Sequence, residues 1–524
     1  MKVASETSDF FQGNQPDEGQ KLAKSIDDRL SKELVFAMVG PVGSGCSTVA
    51  IEIKQELELK YKFTVSETIS ASNIIKESIS KIGMSPPKKT DITTYVTEMQ
   101  NAGNALREKY GEDYLSKKIV EKIHNERKRL GGFNDGKVLP KRIAYIVDSI
   151  KNQDELKLLR KIYKETLVLV GVFAPVNQRR KRLKIEVDES SSIKNFFERD
   201  QGEKESFGQA TRKVFTRSDF FVCNDKSLDD VRESVQRFLR LCFNIGVNTP
   251  TKAEAAMYKA NAVAGNSACL SRQVGAAIVS QKGEFIGVGW NDVPKFGGGL
   301  YDEDGRVESG IDNRCYRWKG AGLCHNEDTR HNILDQIADM LSKSEFVKAR
   351  TKLLDIRNYL SDTPIDALIE FSRSIHAEME AILSVGREGK HSLVGSTLYT
   401  NTYPCHNCAR HIVASGIKKV VYIEPYLKSH AVKLHSDAIT EDPQEKEGKV
   451  FFQQFDGVAP QNYLKFFRPE AERKGVRGIF APEEPSTALP VLKVQLDSFS
   501  RYEDFVMASL LSIEKSEVEN EGKH

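Results

Sequence analysis

The chain has 524 residues, too many for one small binding module and, at roughly 100 to 200 residues per domain, enough for two to four domains. With 39% hydrophobic and 29% charged residues it has the composition of a folded globular protein, which excludes global disorder. The net charge is only +3, so no overall field draws the chain to nucleic acid, and any such role has to be local.

No apolar run approaches the ~20 residues of a spanning helix, and the first thirty residues lack the apolar stretch of a signal peptide. A cytoplasmic protein without membrane contact is expected, its eight cysteines serving as thiols or metal ligands rather than as a disulfide scaffold. Residues 1–30, rich in Ser, Asp, Gln and Gly, read as a flexible arm. A first domain is expected over 31–245. It opens with the apolar run Leu34 to Val39, the glycine-dense GPVGSGCST and a helix from Val49 to Leu59. Further buried strands are expected at Arg142 to Val147, ending in Asp148, and at Thr166 to Phe173. Long charged helical stretches separate them, an alternation that predicts a parallel α/β sheet.

Gly40 to Ser47 has the glycine spacing and final Ser of the phosphate-binding GxxxxGK[ST] loop. Gly40, Gly43 and Gly45 would let successive N–H groups turn toward an anion, with the positive end of the following helix behind them. Ser47 or Thr48 would hold a magnesium ion and Asp148 would supply a second carboxylate beside it. Cys46, however, stands where the lysine belongs, and a thiol supplies no point charge for phosphates. The other reading is a glycine turn that merely joins strand to helix. The run Arg179, Arg180, Lys181, Arg182 either replaces the missing charge or is a solvated helix face.

Gly246 to Lys252 reads as a linker, after which a second domain is expected over 253–490 and a charged helical tail over 491–524. The second domain should run helix, two strands paired about Lys282-Gly283, a helix near Ile375 to Val385, a strand at Ser396 to Thr400, a helix from Cys405 and a strand at Val420 to Ile423. Within it His376-Ala377-Glu378 precedes Pro404-Cys405-His406-Asn407-Cys408, the HxE…PCxxC pattern of zinc-dependent nucleobase deaminases. Two thiolates and an imidazole make three ligands of a tetrahedral zinc and leave a fourth position for water, so His376, Cys405 and Cys408 are the expected ligands and Glu378 the proton shuttle. A closed structural zinc knuckle is the competing reading, but it leaves Glu378 without a role.

From Ala253 to the region of Pro469 the chain resembles the cytidine and deoxycytidylate deaminase superfamily. The resemblance is carried by Ser271 to Val279 (SRQVGAAIV), Gly289 to Pro294 (GWNDVP) and Gly416 to Tyr426 (GIKKVVYIEPY). By that resemblance Asn291 contacts the deoxyribose of the substrate. A phosphate-loop domain followed by such a domain resembles the bacterial anti-phage dCTP/dCMP deaminases. The resemblance implies a P-loop NTPase-like parallel sheet with helices, then a cytidine-deaminase-like α/β/α domain. It also implies Zn2+, a nucleotide with Mg2+ in the first domain, a homo-oligomer, and deamination of dCTP or dCMP to deoxyuridine nucleotides that depletes the pool phage replication needs. In some members of that family a small RNA holds the enzyme inactive. Two other functions stay open, a polynucleotide cytidine deaminase and a P-loop nucleotide kinase with an accessory zinc domain. Cys315, Cys324, His325 and His331 read either as a second, structural zinc site or as free thiols and surface imidazoles.

Overall fold

A computed structural model describes residues 29–521 except 89–90, 135–136, 186–190, 204, 226, 318–319, 321, 345, 349–350, 362, 364, 366–367, 427–428, 469–473, 475 and 481. The arm expected over 1–30 falls almost wholly outside the described residues. The chain forms two compact units, one made of residues up to Asn248 together with those from Arg468 onward, the other of Thr249–Phe467. None of the helices among the described residues is long and apolar enough to cross a membrane.

In the first unit the apolar runs become strands β1 (Leu34–Val39), β4 (Ile143–Asp148) and β5 (Leu167–Phe173), preceded or joined by short β2 (Thr64–Val65) and β3 (Ile69–Ser70) and completed by β6 (Phe220–Cys223). They pair in parallel in the order β6-β5-β1-β4-β2, with β3 also on β4. Every residue of β1 and β5 is buried, as strands covered on both faces of a parallel sheet must be. The helices that cover it include α1 (Cys46–Leu59), α2 (Ile92–Tyr110), α3 (Tyr114–Arg129), α4 (Gln153–Tyr163), α5 (Val176–Leu183), α6 (Ser191–Gln201) and α7 (Leu228–Cys242). Reciprocal capping boxes start α4 (Asn152 with Glu155) and α7 (Ser227 with Asp230), so both helices begin where side chains satisfy the free N–H groups.

The unit boundaries differ from the expected second domain over 253–490 and separate tail over 491–524. Residues from Arg468 onward return to the first unit, where they supply buried groups. Ser31 N–H donates to the Val494 carbonyl at 2.8 Å, and Arg142 Nη1 donates to the Ala488 carbonyl at 2.6 Å. The helix Asp497–Glu521 buries Glu503, Val506 and Leu510. Arg127 on α3 is fully buried between Glu33 and Glu503, with Nη2 donating to Glu33 Oε2 at 2.9 Å and Nη1 to Glu503 Oε2 at 2.5 Å. An arginine this deep needs both carboxylates, and the tail brings one of them.

The second unit opens with α8 (Lys252–Ala264), started by a Thr251/Glu254 capping box. Strands β7 (Gly275–Val279) and β8 (Phe285–Trp290) form the expected hairpin. Helices α9 (His325–Ser342) and α10 (Leu353–Ser361) occupy the long stretch before α11 (Ala377–Glu388), β9 (Thr397–Thr402), α12 (His406–Ala414), β10 (Lys419–Glu424), β11 (Ile439–Thr440) and β12 (Val450–Gln454). The sheet order is β8-β7-β9-β10-β12-β11, antiparallel across β8, β7 and β9 and parallel beyond β9. Its core gathers Ile278, Ala381, Leu398, Ile412, Val420 and Phe452 between sheet and helices. A Cβ on Gly289 would stand 2.3 Å from Ala381 N and 2.4 Å from the Ala377 carbonyl, so glycine lets α11 lie directly on β8.

Candidate active site

The two helices that meet at the site both begin at a candidate ligand. His376 is the N-cap of α11 (φ −78°, ψ 152°) and Cys405 is the N-cap of α12 (φ −70°, ψ 167°). Neither side chain caps its own helix, which leaves both free to turn toward a common centre. Cys408 follows in the first turn of α12 and is fully buried. His376 Nδ1 lies 3.2 Å from Cys408 Sγ and 3.3 Å from Cys405 Sγ. Among the described residues these three form the group whose donor atoms all lie within 4.8 Å of one another.

Glu378, 4% exposed, sits on the first turn of α11. Burial pushes its carboxyl up and the neighbouring Cys405 charge adds to this. The Cys405 thiol is held down to about 4, chiefly by its hydrogen bond with Cys408, while burial pushes the Cys408 thiol well up. Burial works to lower His376, but hydrogen bonding to Cys405 and its charge raise the imidazole to about 9. A divalent cation held here requires two thiolates and a neutral imidazole, so its binding releases protons. Two sulfurs and one nitrogen at the starts of two helices are a donor set that suits zinc, with a fourth position left over.

Asn291 follows β8 and is 9% exposed. Its Oδ1 accepts from Val274 N–H at 2.8 Å and its Nδ2 donates to the Arg272 carbonyl at 2.8 Å. In this structure both ends of the amide hold the 272–274 segment. That segment is further pinned by residues to which the sequence assigned no individual role. Asn401 Nδ2 donates to the Gln273 carbonyl at 3.3 Å, and Arg272 Nη2 donates to Glu424 Oε1 at 2.8 Å. Next to Asn291, Asp292 forms a bridge with Ile375, immediately before the ligand His376, and Ile375 N–H donates to its carbonyl at 2.9 Å. For Asn401 and Glu424 the available signal was position, a polar residue just past the end of an expected strand.

Cys315, Cys324, His325 and His331 do not gather into a donor cluster among the described residues. Cys324 instead occupies the N-cap position of α9, its side chain not capping the helix, and His331 Nε2 lies 3.5 Å from Glu327 Oε1.

In the first unit the phosphate-loop residues do come together. Gly43 and Gly45 have φ of 80° and 91°, Gly45 is the N-cap of α1, and Thr48 N–H donates to the Gly45 carbonyl at 3.0 Å. Ser47 Oγ donates to Asp148 Oδ2 at 2.7 Å, which places the two expected magnesium groups side by side. Gly40 lies against Cys46, and burial, then the Asp148 charge, pushes the Cys46 thiol up to about 12.

A buried glutamate beside a His-Cys-Cys donor set is the arrangement that a metal-dependent hydrolytic site requires. Residues 250–424 match the family described as the cytidine and deoxycytidylate deaminase zinc-binding region. The deoxycytidylate deaminase of Enterobacteria phage T2 is 33% identical over 180 residues, covering 34% of this chain and 82% of the relative. That of phage T4 is 31% identical over 182 residues, covering 34% and 80%. Among solved structures, a dCMP deaminase from cyanophage S-TIM5 in complex with dCMP and dUMP matches at 19% identity and a TM-score of 0.23, over 40% of this chain and 99% of that one. The chain belongs to the cytidine and deoxycytidylate deaminase family.

Proposed function

We propose that the chain deaminates deoxycytidine nucleotides hydrolytically, with dCMP or dCTP as substrate and a deoxyuridine nucleotide and ammonia as products. The observation that carries this reading is the buried Glu378 on the helix turn that His376 begins, with Cys405 and Cys408 facing the same centre. His376, Cys405 and Cys408 would hold the zinc, which when bound supplies a Lewis acid that acidifies water. Glu378 takes the proton of the attacking water and delivers it to N3 of cytosine, then takes the proton of the hydroxyl added at C4 and delivers it to the departing amine, so that ammonia leaves and C4 keeps a carbonyl. Its burial and raised carboxyl suit a group that must carry a proton at neutral pH. Asn291, held at the end of β8 by its bonds to the 272–274 segment, orients the sugar.

The finer reading rests on the resemblance of the two-part chain to bacterial anti-phage dCTP/dCMP deaminases. It is a cytoplasmic homo-oligomer that depletes the deoxycytidine nucleotide pool during infection, with a small RNA as its inhibitory partner and a magnesium nucleotide in the first unit. The deciding experiment incubates the full chain with dCMP, dCTP, CTP and single-stranded DNA and follows ammonia and uracil. Release from a free deoxynucleotide, lost in Glu378→Gln with zinc content kept, is expected. Uracil formed only in DNA would overturn the reading in favour of a polynucleotide deaminase.

A further inference from the structure

The glycine loop belongs to the first unit and the His376–Cys405–Cys408 site to the second, and the surroundings of the loop are those of a loop that is holding an anion. Val42 N–H donates to Asp200 Oδ2 at 2.6 Å. The other carboxylate oxygen accepts from Lys151 Nζ at 2.7 Å and from Gln100 Nε2 at 3.3 Å. Asp200, on α6, is fully buried. Its carboxylate is therefore gripped by a backbone N–H of the glycine loop and by an ammonium, the two kinds of donor that such loops offer to phosphate oxygens.

Lys151 lies just beyond Asp148 at the end of β4, and it acts electrostatically on Cys46, the residue that stands in place of the expected lysine. The basic run on α5 has a different task. Arg182 Nη1 donates to the carbonyls of Gly43 at 3.3 Å and Ser44 at 3.1 Å, and Arg179 Nη1 reaches the Val42 carbonyl at 3.4 Å. These arginines hold the loop's oxygens. Gln100 adds an independent sign: it is 8% exposed, and its Oε1 is buried with no hydrogen-bond partner while the same amide touches Asp200. A buried amide oxygen left unpaired calls for a donor, which a magnesium-bound water or a nucleoside hydroxyl or amine brought in with the ligand would supply.

We propose that Lys151 replaces the lysine missing at position 46, and that Asp200 is an internal anion seated in the phosphate position. The loop is then a magnesium nucleoside-triphosphate site that its own carboxylate keeps shut. Ser47 and Asp148 stand ready for the magnesium ion, and the triphosphate enters by displacing Asp200 from Val42 and Lys151. The proposal concerns the first unit alone and holds whether or not the second unit deaminates deoxycytidine nucleotides.

The test is calorimetric titration of the full chain with magnesium–ATP and, separately, with magnesium tripolyphosphate. Asp200→Asn is expected to tighten ATP binding at least tenfold, and Lys151→Met to weaken it at least tenfold in both the parent and the Asp200→Asn background. ATP binding tighter than tripolyphosphate supports the nucleoside; equal affinity overturns that part and leaves a phosphate site. Unchanged or weaker binding in a folded Asp200→Asn variant overturns the internal anion, as does undetectable binding of both probes. Unchanged binding in Lys151→Met overturns the replacement lysine. Should Asp200→Asn fail to fold, hydrogen exchange on the parent chain decides: magnesium–ATP should raise exchange in α6 and lower it over 42–48, and no change in α6 overturns the displacement.

Discussion

Arg127 and Glu503 stand 376 positions apart and meet as an ion pair with neither side chain exposed, Nη1 donating to Oε2. The guanidinium keeps Glu33 as its other partner, so removal of Glu503 leaves a buried cation half matched. Breaking one arm of such a buried network costs about 3 to 5 kcal/mol. Glu503→Ala is expected to lower the stability of the first unit by that order, measured by urea unfolding. A loss under about 1 kcal/mol would mean that the tail contributes little beyond surface contact.

Zinc content reports on the centre independently of turnover. The parent chain is expected to bind zinc through His376, Cys405 and Cys408, and Cys408→Ala to lose far more affinity than the roughly 10- to 100-fold that changes around a ligand shell cost. Metal analysis of the purified variants checks this. Chelation should abolish deamination and zinc should restore it. A Cys408→Ala chain with undiminished zinc would place the metal elsewhere.

Two glycines, Gly289 on β8 beneath α11 and Gly386 within α11, should respond in opposite ways to the same change. Gly289→Ala drives a methyl against the backbone of α11 and is expected to destabilise by about 1 to 3 kcal/mol, while shifting His376 and Glu378 and so lowering kcat. Gly386, inside α11, has open space where a Cβ would go, and Gly386→Ala should stabilise by about 0.5 to 1 kcal/mol. Thermal unfolding of the pair separates close packing from a general sensitivity to substitution.

Acid should weaken the loop around Asp312 in a defined window. The hydrogen bond from Arg314 holds the Asp312 carboxyl down to about 2, below the 3.8 of an unconstrained side chain. The stabilisation is therefore present above about pH 4 and is lost as pH falls through about 2. Asp312→Asn should remove it at neutral pH, so the stability gap between parent and variant should shrink between pH 5 and pH 2.5 in chemical denaturation. A gap independent of pH would show that the pair contributes by packing alone.

The gathering of His376, Cys405 and Cys408 was legible because its parts are local. HxE falls across a single helix start and PCxxC across another, and a short spacing fixes which way each donor can turn. The hairpin of β7 and β8 and the strands β1, β4 and β5 were legible for the same reason, as apolar runs of ordinary length. Strand β6 is only four residues, β11 only two, and neither carries a period long enough to read. The hold of Asp200 on Val42 and of Glu503 on Arg127 lies beyond any pattern in sequence, since both join residues more than a hundred positions apart. Spacing identified the glycine loop, but what its N–H groups touch depends on the whole first unit.

The return of the chain to its first unit also sets an order of events during synthesis. The first unit is written in two segments with the entire Thr249–Phe467 unit between them, so Arg127 emerges from the ribosome long before Glu503 exists to meet it. The deaminase unit has all its strands and ligands in one stretch and can fold first, domain by domain, as the chain emerges. The last helix of the opening half is thus made only after every residue of the candidate metal site has emerged.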